Sequence, residues 1–193
     1  MVTTEWFWIK KDPDAPSISD AKGFNRKKYP YFTDEKSFVE VEDAVAYYEY
    51  GGKFVECDFL FEPTFLIHDN FHSLFRYLEP ELQFKGVQLY ATRNVDRNAT
   101  PLYWLPYLPI TDAVSDETKL IQGKPVKLIL KYEPLAEKRV AHCKLPAADI
   151  WLVSLEAAEC ILRRQPIGII LEKIDLRFKG KVVSNQWSVV SNS

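Results

Sequence analysis

Three histidines (His68, His72, His142), three cysteines (Cys57, Cys143, Cys160) and Ser154 are the side chains whose types and spacing invite chemistry in this 193-residue chain. His68 and His72 stand four apart, the spacing of two metal ligands on one helical face. That face exists only if His68 lies inside the helix, and the local pattern puts His68 at the end of a strand instead. No glutamate completes an HExxH, so the pair reads as a partly exposed helix start and not as a metal site. His142-Cys143 reads as extended chain with alternating faces. Cys57 sits between Glu56 and Asp58; their negative charge raises a thiol pKa and blunts its nucleophilicity. Cys160 belongs to the apolar side of a helix. Ser154 follows a strand and precedes a helix, as a nucleophile elbow does, but it lacks the flanking glycines and serves as an N-cap.

Other chemistries are as poorly represented. The seven glycines are dispersed, with no phosphate-binding Walker A or GxGxxG spacing. Asp112, Asp116 and Glu117 offer carboxylate pairs, but acid–base work needs two carboxyls in different environments across a cleft, which local sequence does not display. The expectation is therefore no catalytic residue, no metal and no cofactor. Net charge is -2 with a pI near 6.0, whereas a nucleic-acid-binding chain carries a basic excess that neutralises phosphates. No stretch approaches the roughly 18 apolar residues of a membrane helix. The start, Met1 to Trp6, has neither a basic region nor a long apolar run, and an odd set of cysteines without CxxC spacing suits free thiols in a reducing compartment. A soluble cytoplasmic protein is expected, with no nucleic-acid or membrane partner.

The elements that must position these residues follow from periodicity. Trp6 to Ile9 reads as a strand, and residues 17–36 as a long irregular connection. Ser37-Phe38-Val39-Glu40 fits a capping box opening a helix through Phe38, Val41, Val45 and Tyr48, stopped by Gly51-Gly52. Strands are expected over Lys53–Phe61 and Phe65–Ile67. Asp69 or Asn70 then caps a helix in which Phe71, Leu74, Phe75 and Leu78 match the i, i+3, i+4, i+7 template, with Pro80 beyond it. Gly86–Tyr90, Leu102–Leu105, Val126–Tyr132, Ile150–Val153 and Ile169–Ile174 read as strands, and Leu155–Arg164 as a helix. The chain is thus expected to be α+β, a single domain over residues 1–193 with a mixed or antiparallel sheet. Its two strand–helix–strand units, at 62–92 and 148–178, share a pattern, and residues 184–193 form a frayed tail.

Two surfaces suggest partner contact: an acidic stretch with Glu40, Glu42 and Glu49, extending through Asp43 and Glu56 to Asp58, and a Pro-aromatic segment with Tyr103, Trp104 and Tyr107. Aromatics make up 14% of the chain, and they are the residues that interfaces favour.

The segment Tyr103-Trp104-Leu105-Pro106-Tyr107-Leu108-Pro109-Ile110-Thr111-Asp112-Ala113-Val114-Ser115 resembles a bacterial immunity-protein family of the Imm11 (DUF1629) type, in its Tyr-x-Leu opening followed by Asp and Ser. Ile150-Trp151-Leu152-Val153-Ser154, its helix, and Pro166-Ile167-Gly168-Ile169-Ile170-Leu171-Glu172 resemble that family's closing strand, helix and strand, with Pro166-Ile167 where a threonine is expected. The resemblance covers roughly the last two thirds of the chain. It implies a protein that binds a cognate protein toxin and blocks it by steric occlusion, and it supplies no catalytic residues. Two other readings remain open on the residues: a hydrolase or transferase with a site assembled from distant positions, and a scaffold subunit that forms a homodimer.

Overall fold

The computed structural model describes residues 5–14, 20–22, 35–40, 44–49, 57–61, 64–91, 100–178 and 181–183. In chain order it contains β1 (Trp6–Lys11), β2 (Asp20–Lys22), α1 (Glu35–Val39), β3 (Ala44–Glu49), β4 (Phe59–Leu60), β5 (Leu66–His68), α2 (Asp69–Leu78), β6 (Gln83–Ala91) and β7 (Leu102–Tyr107). There follow β8 (Lys119–Ile121), β9 (Lys124–Lys127), β10 (Ile129–Lys131), a 3-10 turn (Glu133–Leu135), β11 (Val140–Leu145), β12 (Ala148–Ser154), α3 (Leu155–Leu162), β13 (Ile169–Phe178) and β14 (Lys181–Val183). The fold is α+β, with mixed sheets. Among the described residues no helix is long and apolar enough to cross a membrane. The tail at 184–193, Glu42, and residues 53–56 of the expected Lys53–Phe61 strand lie outside the described residues.

The chain gathers into two compact units. One comprises Met1–Lys10, Ile110–Cys160 and Ile170–Ser193, the other Lys11–Pro109 and Ile161–Ile169. The first is built on a sheet of order β10-β13-β1-β12-β11, with β14 paired to β13. Its two edges meet. The segment 110–115 bonds to β11 through Thr111 N–H to His142 C=O (2.7 Å), and to β10 through Lys131 N–H to Ala113 C=O (2.7 Å) and Ser115 N–H to Ile129 C=O (2.9 Å). This irregular stretch closes the sheet into a small barrel, which removes both edges. Side chains from around the ring fill the interior: Trp6, Ala113, Leu130, Cys143, Leu152 and Leu176 are buried in one cluster.

The second unit is built on a sheet of order β2-β3-β6-β7-β5-β4, in which only β3–β6 is parallel. Helix α2 forms where the spacing predicts, burying Phe71, Leu74, Phe75 and Leu78. Phe59 of β4 meets Phe71 and Phe75 at ring distances of 5.0 and 5.9 Å. Its cap differs from expectation: His68 Nδ1 accepts the Asn70 N–H at 3.2 Å, and Asp69 is the first helical residue. The segment 161–169 ties into this unit. Asp58 N–H donates to Ile167 C=O (3.0 Å), and the Asp58 carboxylate accepts the Ile167 N–H (2.8 Å). The Arg164 guanidinium bonds Asn70 C=O at 2.7 Å and lies over the Phe71 ring.

Two expected elements are corrected. The helix opening at Ser37 ends at Val39, and Ala44–Glu49 is a strand. Ser37 stands inside α1 and is not its cap. Val45, Tyr47 and Tyr48 favour extended chain, and pairing with β2 and β6 on both sides satisfies the backbone that a lone helix would leave to itself. The Val126–Tyr132 strand is divided at Leu128, because Thr118 Oγ1 holds Ile129 through both its N–H (3.1 Å) and its C=O (2.9 Å). β9 thereby stays with β8, while β10 joins β13. Both strand–helix–strand units exist, β5–α2–β6 and β12–α3–β13, each with one other strand lying between its two strands in the sheet.

Candidate functional site

Strand β7 alternates its side chains between the two faces of the second unit's sheet. The cross-strand register Phe59–Ile67–Trp104–Gly86 puts Trp104 on the face that α2 covers. Tyr103 and Tyr107 point to the opposite face, where α1 packs through Phe38 on Tyr107 (5.0 Å, 18°). This division decides which residues of the Pro-aromatic segment meet solvent. Tyr103 is fully buried and Tyr107 nearly so. The Tyr103 hydroxyl donates to Cys57 C=O at 2.6 Å, and its ring takes the edge of His68 at 5.1 Å. As contact residues for a partner these two tyrosines are therefore corrected: both belong to the core. Trp104 is half-buried.

Around Trp104 the fold assembles a platform. The His72 ring lies flat on the indole, centroids 4.0 Å apart and planes 10° from parallel. Phe84 of β6 meets His72 edge-on at 4.6 Å and Trp104 at 6.4 Å. The indole N–H donates to Asp69 Oδ1 at 2.7 Å. Helical spacing explains the first-turn pair, since Asp69 and His72 are three apart on α2 and share a face. Sheet register explains the rest. Phe84, two residues before the Trp104 partner Gly86, projects to the same side, and Gly86 puts no side chain under the indole. His72, Phe84 and Trp104 are all half-buried, with Asp69 and Arg76 exposed beside them. Burial, and next the Arg76 guanidinium one turn along, hold the His72 pKa below its ordinary value, opposed by Asp69. A neutral imidazole on an indole, flanked by one anion and one cation, is suited to receive an apolar group with a polar rim.

No protein-family model matches the chain, and no curated protein matches it significantly.

The remaining sequence candidates fall elsewhere. Glu40 is exposed just after α1, so it borders the face opposite Trp104. Glu49 ends β3, paired with Asp20. Asp58 spends its carboxylate on Ile167. His68 and His72 do not converge, one capping α2 beside Tyr103 and the other lying on Trp104. In the first unit His142 stacks on Trp151 (4.7 Å, 11°) with Nε2 3.3 Å from Asp149 Oδ1, all on one side of β11, while Cys143 points into the barrel. Burial pushes the Cys143 thiol up to about 12. Burial and then Asp58 raise that of Cys57. Ser154 Oγ accepts the Ala157 N–H at 3.4 Å, the N-cap role. Among the described residues no group of three or more His, Cys, Asp or Glu could hold a metal ion. The sequence reading missed His72 and Phe84 as neighbours of Trp104, because only the sheet register and the seating of α2 bring them together.

Proposed function

We propose that this chain is a cytoplasmic binding protein that neutralises a cognate bacterial toxin by steric occlusion, with the Trp104–His72–Phe84 platform as its principal contact. The observation that carries the binding reading is the half-exposed stack of His72 on Trp104, with the indole N–H held by the Asp69 carboxylate. Rigid aromatic anchors of this kind supply much of the energy of protein interfaces, because they bring contact area at low ordering cost. The toxin as partner rests on the resemblance of the Tyr103–Ser115 and Ile150–Glu172 segments to immunity proteins.

The test is co-expression with a toxin gene neighbouring the gene for this chain. Cells are expected to survive with the unaltered chain and to die with Trp104→Ala. A hot-spot truncation of this type costs about 2 kcal/mol, roughly a 30-fold loss of affinity measured on the purified pair. Charge reversal at Glu40, Glu42 and Glu49 should leave that affinity unchanged. If the reversal abolishes protection while Trp104→Ala preserves it, the acidic surface is the contact and the platform is not. If no neighbouring toxin is neutralised by the unaltered chain, the reading fails.

A further inference from the structure

The β8–β9 hairpin is a separate two-stranded sheet of the first unit, and it carries an unusual combination of order, charge and exposed apolar surface. An isolated hairpin is marginal in water. This one is held at both ends. Its base is fixed by Thr118, bonded to both backbone groups of Ile129, and by the Lys127–Asp175 ion pair at 3.1 Å. Its tip turns through Gln122 (φ 51°) and Gly123 (φ 77°), the double positive φ of a two-residue hairpin loop. Gly123 lies so close to the β11–β12 turn that a Cβ there would stand 2.9 Å from the Ala147 Cβ.

Lys119 and Ile121, two apart, share one face of β8 with Lys124, the partner of Ile121, while Leu120 (39% exposed) faces the other way beside Pro125. The register shifts between Lys119 and Leu120, so that Lys119 stands opposite Lys127. Ile121 and Val126 are each 65% exposed. Residues 118–131 contain four lysines and no carboxylate. Of these, Lys127 and Lys131 are paired with Asp175 and Asp112, and Lys119 and Lys124 have no ion pair among the described residues. Among the described residues the outer edge of β8 has no neighbouring strand. Because Ile121 and Lys124 flank the loop as a bonded pair, the Leu120 N–H and C=O turn toward that open edge. The edge of β9 carries Pro125, which has no N–H to offer.

We propose that β8 is a docking edge for an extended segment of a partner protein in which carboxylates alternate with β-branched apolar residues. Main-chain bonds to Leu120 would seat the segment, its carboxylates would meet Lys119 and Lys124 on one face, and its apolar side chains, on the other face, would lie along the Leu120 side chain. An anionic membrane fits less well. Two free lysines near a lipid surface contribute about 2 kcal/mol together, and stable anchoring needs a second strong signal. This surface is independent of the Trp104 platform, and its test does not involve the toxin.

The probe is the synthetic peptide acetyl-Glu-Val-Glu-Ile-Glu-Val-Glu-amide, titrated into the full-length isotope-labelled chain and followed by backbone amide NMR. Shifts confined to residues 118–128 are expected, with slowed exchange at the Leu120 amide. Affinity should weaken at least tenfold in Lys119→Glu/Lys124→Glu and in Leu120→Ser, with thermal unfolding unchanged because all three side chains are exposed. Absence of shifts at millimolar peptide overturns the proposal, as does equal binding of the peptide with lysine in place of glutamate. Response only to phosphatidylserine–phosphatidylcholine vesicles assigns the hairpin to membranes and overturns it too.

Discussion

At the scale of single residues, the environment of each titratable group sets its chemistry more than its type does. His72 is a histidine whose charged form is disfavoured by desolvation against Trp104 and by Arg76, with Asp69 pulling the other way. A folded pKa below the unfolded one means that the unfolded chain binds more protons at acid pH. The contribution of His72 to stability is then complete above about pH 6.5 and is lost as pH falls through the folded value. A proton-NMR titration should find its midpoint below 6.5, rising in Arg76→Ala and falling further in Asp69→Asn. A midpoint unmoved by either change would mean that the neighbouring charges are screened. Cys143 runs in the opposite sense. Burial keeps its thiol protonated until about pH 12, whereas an unfolded cysteine ionises near its ordinary value of 9.0. Stability falls as pH rises from 9 toward 12, and the loss of melting temperature between pH 9 and pH 11 should shrink in Cys143→Ala. Alkylation of the native chain at pH 8 should reach half-buried Cys160 before Cys57 or Cys143.

At the scale of elements, what the sequence revealed and what it concealed divide along local and non-local causes. Helix α2 was legible because Phe71, Leu74, Phe75 and Leu78 repeat at helical spacing and all four end up buried. Strands β1, β5, β7 and β12 were legible from runs of aromatic and β-branched residues. β3 was not, since Val45 and Tyr48 serve a helical pattern as readily as a strand, and only its partners β2 and β6 settle the matter. The platform was half legible: Trp104 stood out by type, but burial of Tyr103 and Tyr107 beside it depends on which face the register gives each one. The segment 161–169 shows the same dependence. Gly168 is at φ 98°, and an added Cβ would stand 3.2 Å from both the Cys57 Cβ and the Phe59 carbonyl oxygen. Strain from that φ alone costs about 1–3 kcal/mol for a non-glycine residue, so Gly168→Ala should lower stability by at least that range in urea unfolding. Asp58→Ala removes the carboxylate that receives the Ile167 N–H and should cost about 0.5–1.5 kcal/mol, the net worth of a hydrogen bond whose donor water can still satisfy. Asp58→Asn, which keeps an acceptor, should recover most of it.

At the scale of the molecule, the barrel of the first unit depends on its least regular stretch. The residue types of 110–115 show neither the apolar alternation of a strand nor the period of a helix, although Thr111, Ala113 and Ser115 are buried between more exposed neighbours. They connect the edge strands β10 and β11 that the sheet order puts furthest apart. Ala113 enters the barrel core from this stretch with no exposed surface. Closure therefore joins contributions widely separated in sequence, from Trp6 to Leu176, and such non-local contacts leave no periodic trace in any window of residues. Edge protection is the physical return. Without the 110–115 bridge, β11 and β10 would each present unpaired backbone groups to solvent or to another chain. Thr111→Pro removes the N–H that bonds His142 C=O while leaving the barrel's apolar filling in place. Hydrogen exchange should then accelerate along β11 and at Lys131 of β10, while amides of β12, which has a neighbour on each side, keep their protection. Ala113→Leu tests closure from the inside. It adds three carbons to a fully buried position in the core cluster, and a loss of about 1–3 kcal/mol is expected. If Thr111→Pro leaves exchange on β10 unchanged, the two edges are held independently, and the bridge is an ornament of each and not a closure of both.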